Sequence, residues 1–396
     1  MLRRDLLKSL CLLPLAGMTS RVWAAPNAGE SRFLLVFLRG GYDAAHLLVP
    51  YSSDFYYTAR PTLAIGKPAS GAQCALALDG DWGLHPALET SLLPLYQVRQ
   101  LAFVPFAGTD DLTRSHFETQ DSIEMGQPLG GRRDYNSGFL NRLAAQLGAV
   151  PAMAFTDQLP LCMRGSVQIP NMALRQANRP GIDVRERGII QTMYRGHALG
   201  PQVQQGFEVR DSVLNTVLDG MDASAGRNAI SAKGFELEAR RIALLMKDQV
   251  RLGFLDVGGW DTHVNQGGAN GYLAGRFDEL GRGLAAFAEE IGPAWQNTVI
   301  VVLSEFGRTL RENGNHGTDH GHGSVHWVLG GKLAGGRVVG EQVTVSQATL
   351  LQNRDYPVLN DYRAVLGGLF ARLYGLSPSQ LQRIFPNVAP VDLGLV

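Results

Sequence analysis

Five apolar runs of strand length punctuate the chain, at Arg32–Leu38, Gln100–Phe106, Val150–Phe155, Val250–Leu255 and Thr298–Leu303, with a shorter one at His326–Leu329. Their hydrophobicity is continuous rather than alternating, which suits strands covered on both faces, as in a parallel sheet. Between them, apolar positions recur at helical spacing over Pro86–Val98, Asn136–Leu147, Lys233–Gln249, Tyr272–Ile291 and Asp361–Leu373. In the fourth, Leu273, Phe277, Leu280, Leu284 and Phe287 mark one face, while Asp278, Glu279, Glu289 and Glu290 lie elsewhere. Strands alternating with helices predict an α/β fold with helices on both faces of the sheet. From Pro180 to Gly234 there are helical patches such as Val213–Leu218 but no strong strand signal, which predicts a helical insertion or cap.

The N-terminus stands outside this pattern. Arg3 and Arg4 are adjacent, Lys8 follows, an apolar run covers Ser9–Met18, and Val22-Trp23-Ala24-Ala25 supplies small residues for a peptidase. The run is too short to span a bilayer, which takes about 20 apolar residues. Residues 1–25 read as a twin-arginine signal, with the twin-arginine translocase as a transient partner and a periplasmic or extracellular destination. The competing reading is a disordered terminus with chance arginines. Removing the signal strips Arg3, Arg4, Lys8 and Arg21 against Asp5, so a net charge of zero becomes minus three. That excludes the basic face a nucleic-acid or anionic-membrane partner calls for. No linker tract or internal repeat divides the rest, and 45% hydrophobic content can bury a large core. Residues 26–396 therefore read as one domain. Cys74 and Cys162 remain after export, and sequence does not say whether they pair.

In such sheets, chemistry gathers in the loops past the carboxyl ends of the strands. The first strand is followed by Arg39-Gly40-Gly41-Tyr42-Asp43, a glycine turn with a carboxylate at the rim, or simply a turn with Asp43 as a cap. After the second comes Arg114-Ser115-His116-Phe117. Its guanidinium can bind two oxygens of a tetrahedral anion, and Ser115 can act as a nucleophile if activated. The plainer reading makes this a helix N-cap. Past the fourth, Gly259-Trp260-Asp261-Thr262-His263 offers an oxygen and a nitrogen to one cation, unless Asp261 is only half of an ion pair. Past the fifth, Glu305 in Ser304-Glu305-Phe306-Gly307-Arg308-Thr309 follows five apolar residues, with a metal or Arg308 as its partner. Last comes His316-Gly317-Thr318-Asp319-His320-Gly321-His322-Gly323, with His326 close behind. Four of the nine histidines fall in eleven residues. Interleaved glycines let imidazoles converge, with Asp319 able to orient them.

The order of these motifs, from the twin-arginine leader through Arg39-Gly40-Gly41-x-Asp43, Arg114–Phe117, Gly259–His263, Ser304–Thr309 and Gly317–Gly323 to Asp361-Tyr362-Arg363, resembles the bacterial family called domain of unknown function 1501. That family is similar to the alkaline phosphatase and sulfatase superfamily. The resemblance implies an alkaline-phosphatase-like three-layer α/β/α fold with a mainly parallel central sheet. It also implies one or two divalent ions (Zn, Mn, Ca or Mg) beside a hydroxyl nucleophile. Carried across, Asp43, Asp261, His263, Glu305 and His320 or His322 become metal ligands, and Ser115 stands near the nucleophile, with Arg114 and His116 beside it. The superfamily's usual Asp-x-x-x-His and Asp-His pairs are replaced here by Asp261-x-His263 and Glu305-Phe306.

These readings imply metal-dependent hydrolysis of a phosphate or sulfate ester, with a small anionic ester or an envelope glycan as substrate. The rival is an exported binding or assembly protein that keeps the fold and a structural metal without turnover.

Overall fold

A computed structural model describes residues 30–130, 132–175, 182, 184–224 and 234–396, so the expected signal at 1–25 lies outside the described residues. The main sheet has eight strands among the described residues: β1 (Arg32–Leu38), β2 (Leu101–Gly108), β3 (Ala152–Ala154), β4 (Leu252–Val257), β5 (Thr298–Ser304), β6 (Ser324–Gly330), β7 (Arg337–Val338) and β8 (Asn360–Asp361). Their spatial order is β7-β2-β6-β5-β1-β4-β3, with β8 also pairing β2. β1 runs parallel to both β4 and β5, whereas β6 is antiparallel to both β2 and β5. The sheet is thus mainly parallel, and its one reversed strand has a consequence for the site.

Every residue of β1 and β5 is buried. Along β1 the side chains alternate between two cores: Leu34, Val36 and Leu38 face one, Phe33, Leu35 and Phe37 the other. The first core is closed by α5 (Phe235–Asp248) and α6 (Tyr272–Glu290), through Ile242, Leu245, Phe277 and Leu280. The second is closed by α2 (Phe139–Gln146) and α7 (Tyr362–Tyr374), through Leu140, Leu143, Leu366 and Phe370. Helices on both faces of a mainly parallel sheet are the architecture the apolar runs predict. Phe37→Ala would leave a cavity on the central strand and cost about 3–5 kcal/mol.

Between the second and fourth strands lie α1 (His116–Met125), which ends on left-handed Gly126, and two further helices, α3 (Val184–Met193) and α4 (Gly200–Ser224). The continuous helix expected over Pro86–Val98 is instead two short pieces, Pro86–Leu88 and Leu93–Gln97. Pro94 explains the break. It has no N–H to give a preceding turn, so it tolerates only the first turn of a new helix. No helix among the described residues is long and apolar enough to cross a membrane. Cys74 and Cys162 are both free thiols.

Candidate metal centre

Parallel strands β1, β2, β4 and β5 deliver their following loops to one edge of the sheet. Because β6 runs the other way, its amino end sits at that same edge. The histidine–glycine loop that precedes β6 is thereby brought over the loops that follow β1, β4 and β5. Close backbone approach makes the assembly dense. A Cβ on Gly40 (φ 125°) would lie 2.6 Å from the Asp261 amide nitrogen, and one on Gly317 would lie 2.3 Å from the His263 carbonyl carbon.

Arg308 ties these loops together. Its buried guanidinium donates to the carbonyls of Gly41 (2.5 Å), Gly40 (3.0 Å), Trp260 (3.2 Å) and Thr318 (3.1 Å), and to Asp261 Oδ1 (2.5 Å). Burial pulls its pKa below the usual arginine value, and the Asp261 charge works against that. Arg308 is one of the two partners expected of Glu305, a metal being the other. It pairs with Asp261 instead, because its side chain reaches across the sheet edge toward the β4 loop.

Three imidazoles meet at Asp261. His263 Nε2 lies 2.9 Å and His320 Nε2 3.2 Å from Asp261 Oδ1, and the two nitrogens are 3.0 Å apart. His116 Nε2 lies 3.6 Å from Asp261 Oδ2, is buried, and has no hydrogen-bond partner among the described residues. Donor atoms of His116, Asp261 and His320 all lie within 4.8 Å of one another. Each ring is held through its other nitrogen. His116 Nδ1 meets Glu305 Oε1 at 2.7 Å, His320 Nδ1 meets the Arg114 carbonyl at 2.9 Å, and His263 Nδ1 meets Asp319 Oδ1 at 3.3 Å. A carbonyl and two carboxylates can only accept, so all three Nδ1 atoms carry a proton and all three Nε2 atoms face inward; the hydrogen bond to Glu305 also raises the His116 pKa.

Electrostatics sharpen the point. Burial alone would raise Glu305, but hydrogen bonds from His116 and Gln120 overcome it and hold the carboxyl below its usual range. Glu305 Oε1 also accepts from the Gly40 amide at 2.8 Å and Gln120 Nε2 at 2.8 Å, and Oε2 accepts from Ser304 Oγ at 2.8 Å. Glu305 therefore braces His116 rather than presenting a free oxygen to the cluster. Burial would likewise raise Asp261, and the Arg308 charge reverses this, keeping it ionised. Burial lowers the His320 pKa, which favours a neutral ring beside Asp261 Oδ1. A neutral imidazole beside a carboxylate is a donor pair a cation can bridge. The donor set fits a divalent ion: Asp261 Oδ2 accepts no hydrogen bond among the described residues, and His116 Nε2 is unpaired.

Other expected site residues lie elsewhere. Asp43 is buried in a separate cluster, receiving Arg60 Nη1 (2.6 Å) and Nη2 (2.9 Å), Gln266 Nε2 (2.6 Å) and His46 Nδ1 (2.9 Å). Burial opposes its ionisation, but Arg60 and His46 hold its pKa far below the ordinary range, so a guanidinium already provides the cation a metal would. His322 is buried away from the cluster, and burial and the Arg114 charge lower it to about 4. Arg114 does not point at an anion site: its Nε (2.8 Å) and Nη2 (2.5 Å) hold Asp355 Oδ2. Ser115 stands at the N-cap of α1, but its hydroxyl makes no capping bond. The chain touches the cluster on both sides of it, through the Arg114 carbonyl and the His116 ring. Gln120, Asp355 and Arg60 carried no signal in the sequence beyond being polar.

A family profile described as "Protein of unknown function (DUF1501)" matches residues 30–385. The chain belongs to this family. No curated protein matches this DUF1501 member. Among solved structures it is similar to the lipoteichoic acid synthase LtaP from Listeria monocytogenes, at 8% identity and a TM-score of 0.39, covering 92% of this chain and 76% of that one. It is also similar to the C-terminal periplasmic domain of EcEptC from Escherichia coli in complex with Zn, at 10% identity and 0.34, covering 78% of each. A third likeness is to Ps i-CgsB in complex with a neocarrahexaose, at 12% identity and 0.39, covering 91% and 75%. Similarity at this level assigns no activity.

Proposed function

We propose that this DUF1501 member is an exported, metal-dependent hydrolase of phosphate or sulfate esters. One observation carries the reading: three Nδ1-anchored imidazoles turn their Nε2 atoms onto the Asp261 carboxylate. Asp261 and the Nε2 atoms of His116, His263 and His320 would hold the ion. Three nitrogens and one carboxylate favour zinc over calcium or magnesium, which take oxygen shells. When bound, the ion supplies Lewis-acid polarisation of the ester oxygen and a lowered pKa for a nearby hydroxyl or water. Ser115 is the candidate nucleophile, placed between two residues that touch the cluster and with no capping bond to occupy its hydroxyl. Asp261 and His263 are 44% and 39% exposed in their side chains, which leaves the centre open to a bulky ester such as an envelope glycan.

Turnover of aryl phosphate, phosphodiester and aryl sulfate by zinc-replete protein tests the reading. The expected result is wild-type turnover of one class that Ser115→Ala abolishes while keeping its metal. A metal-replete wild type with no turnover on any class selects the second reading, an exported binding or assembly protein. The feature that favours that reading is Arg308, which already neutralises Asp261 without any substrate.

A further inference from the structure

Arg114 has a backbone φ of 54°, in the left-handed region where a Cβ crowds the backbone. Its partner Gln352 (55°) and the next residue, Asn353 (54°), are also of this kind. Gln352 Oε1 accepts from Arg114 Nη2 at 2.9 Å, and Asp355 Oδ2 accepts from both Nε and Nη2. Strained backbone gathered around one ion pair persists only where the surroundings hold it.

We propose that the Arg114–Asp355 pair is a positioning device: it locks the left-handed turn at residue 114 and so aims the Arg114 carbonyl at His320 Nδ1. The proposal rests on His320 being a ligand, as argued above. Asp355 suits an anchor. Its side chain is fully buried, Arg354 Nη1 holds it from the other side at 3.2 Å, and its backbone exchanges hydrogen bonds with Leu351 at 2.8 and 3.1 Å. The Arg114 carbonyl at 2.9 Å from His320 Nδ1 then fixes the tautomer, which keeps the Nε2 lone pair on the cluster. Without the lock, rotation at residue 114 swings that carbonyl away and frees the ring to place its proton on Nε2. Arg114 and Asp355 thus act on the centre through His320, without touching an ion or a substrate. A lysine at 114 does not replace the arginine, because a single ammonium cannot engage Asp355 and Gln352 from two nitrogens.

The test compares Arg114→Ala, Arg114→Gly and Asp355→Asn with wild type by two readouts. These are the zinc dissociation constant and the ¹⁵N tautomer state of His320 in metal-free protein. Alanine and Asp355→Asn should weaken zinc about tenfold and lose the pure Nδ1–H tautomer. Glycine adopts the left-handed turn freely, so Arg114→Gly should recover part of both losses. An unchanged tautomer in Arg114→Ala and Asp355→Asn overturns the proposal, and so does a glycine variant as impaired as alanine. Should wild type bind no zinc while the tautomer shifts as described, the metal reading falls and the positioning role stands.

Discussion

Glu305, at the end of β5, accepts a 2.7 Å hydrogen bond from Nδ1 of His116, at the start of α1. The contact joins residues 189 positions apart. It decides which nitrogen of His116 faces the Asp261 cluster.

Glu305→Gln keeps the shape but leaves one oxygen to accept where the carboxylate has two, the first for the Gly40 amide, Gln120 and His116 and the second for Ser304, and it removes the charge. The Nδ1 proton of His116 loses its charged acceptor, and the ring is free to reorient. Zinc affinity measured by competition with a chromophoric chelator should fall roughly 10–100-fold. An unchanged affinity would mean that His116 is not a ligand or needs no brace.

Arg308 is the hub of the centre, so removing it is a stability experiment as well as a functional one. Arg308→Met leaves four loop carbonyls and Asp261 without their donor. Urea denaturation should show a loss of about 3–5 kcal/mol, the cost of breaking a buried pair from one side. Arg308→Lys should recover little, since one ammonium cannot reach carbonyls on three loops.

Gly40→Ala places a methyl group 2.6 Å from the Asp261 amide nitrogen at a φ of 125°. The β4 loop must shift, carrying Asp261 with it. Thermal denaturation should show a lower Tm, and zinc affinity should drop in the same variant. A normal Tm with weakened zinc would still fit, whereas normal values for both would mean that the loops yield freely.

Besides His322, two further buried histidines outside the centre contribute to a pH dependence of folding. Burial lowers His326 to about 4, and burial with the neighbouring His46 lowers His85 to about 3, against 6.5 for the free side chain. Between these values and 6.5 the unfolded chain binds more protons than the folded one, so stability is full above pH 6.5 and declines as pH falls toward 4. Each contributes roughly a few kcal/mol to that decline. Chemical denaturation at pH 7.5 and 4.5 should show it, and His326→Leu should reduce the slope. A flat profile would mean that neither ring is buried in its neutral form.

The sheet was readable because its strands are covered on both faces, which forces unbroken apolar runs such as Arg32–Leu38. The reversed direction of β6 was not readable, since burial on two faces looks the same in either orientation. The sequence marked the loops that carry His116, Asp261, His263, Glu305 and His320, because glycines and polar residues directly follow apolar runs there. It misassigned partners. Arg60 captures Asp43 from seventeen residues on, and Asp355 captures Arg114 from 241 positions away. Such pairings depend on how loops fold over the sheet edge, and no local spacing encodes them. Pro94 was the exception, a local signal that breaks the Pro86–Val98 helix and was outweighed by periodicity.

Everything proposed for the centre requires that Asp261, His116, His263 and His320 bind one ion together. Elemental analysis of protein purified without chelators, with the double variant Asp261→Ala/His320→Ala alongside, measures this directly. The account predicts about one equivalent of divalent metal, zinc foremost, in wild type and none above background in the variant. A wild type that stays empty after dialysis against zinc, or a double variant that retains a full equivalent, would contradict it.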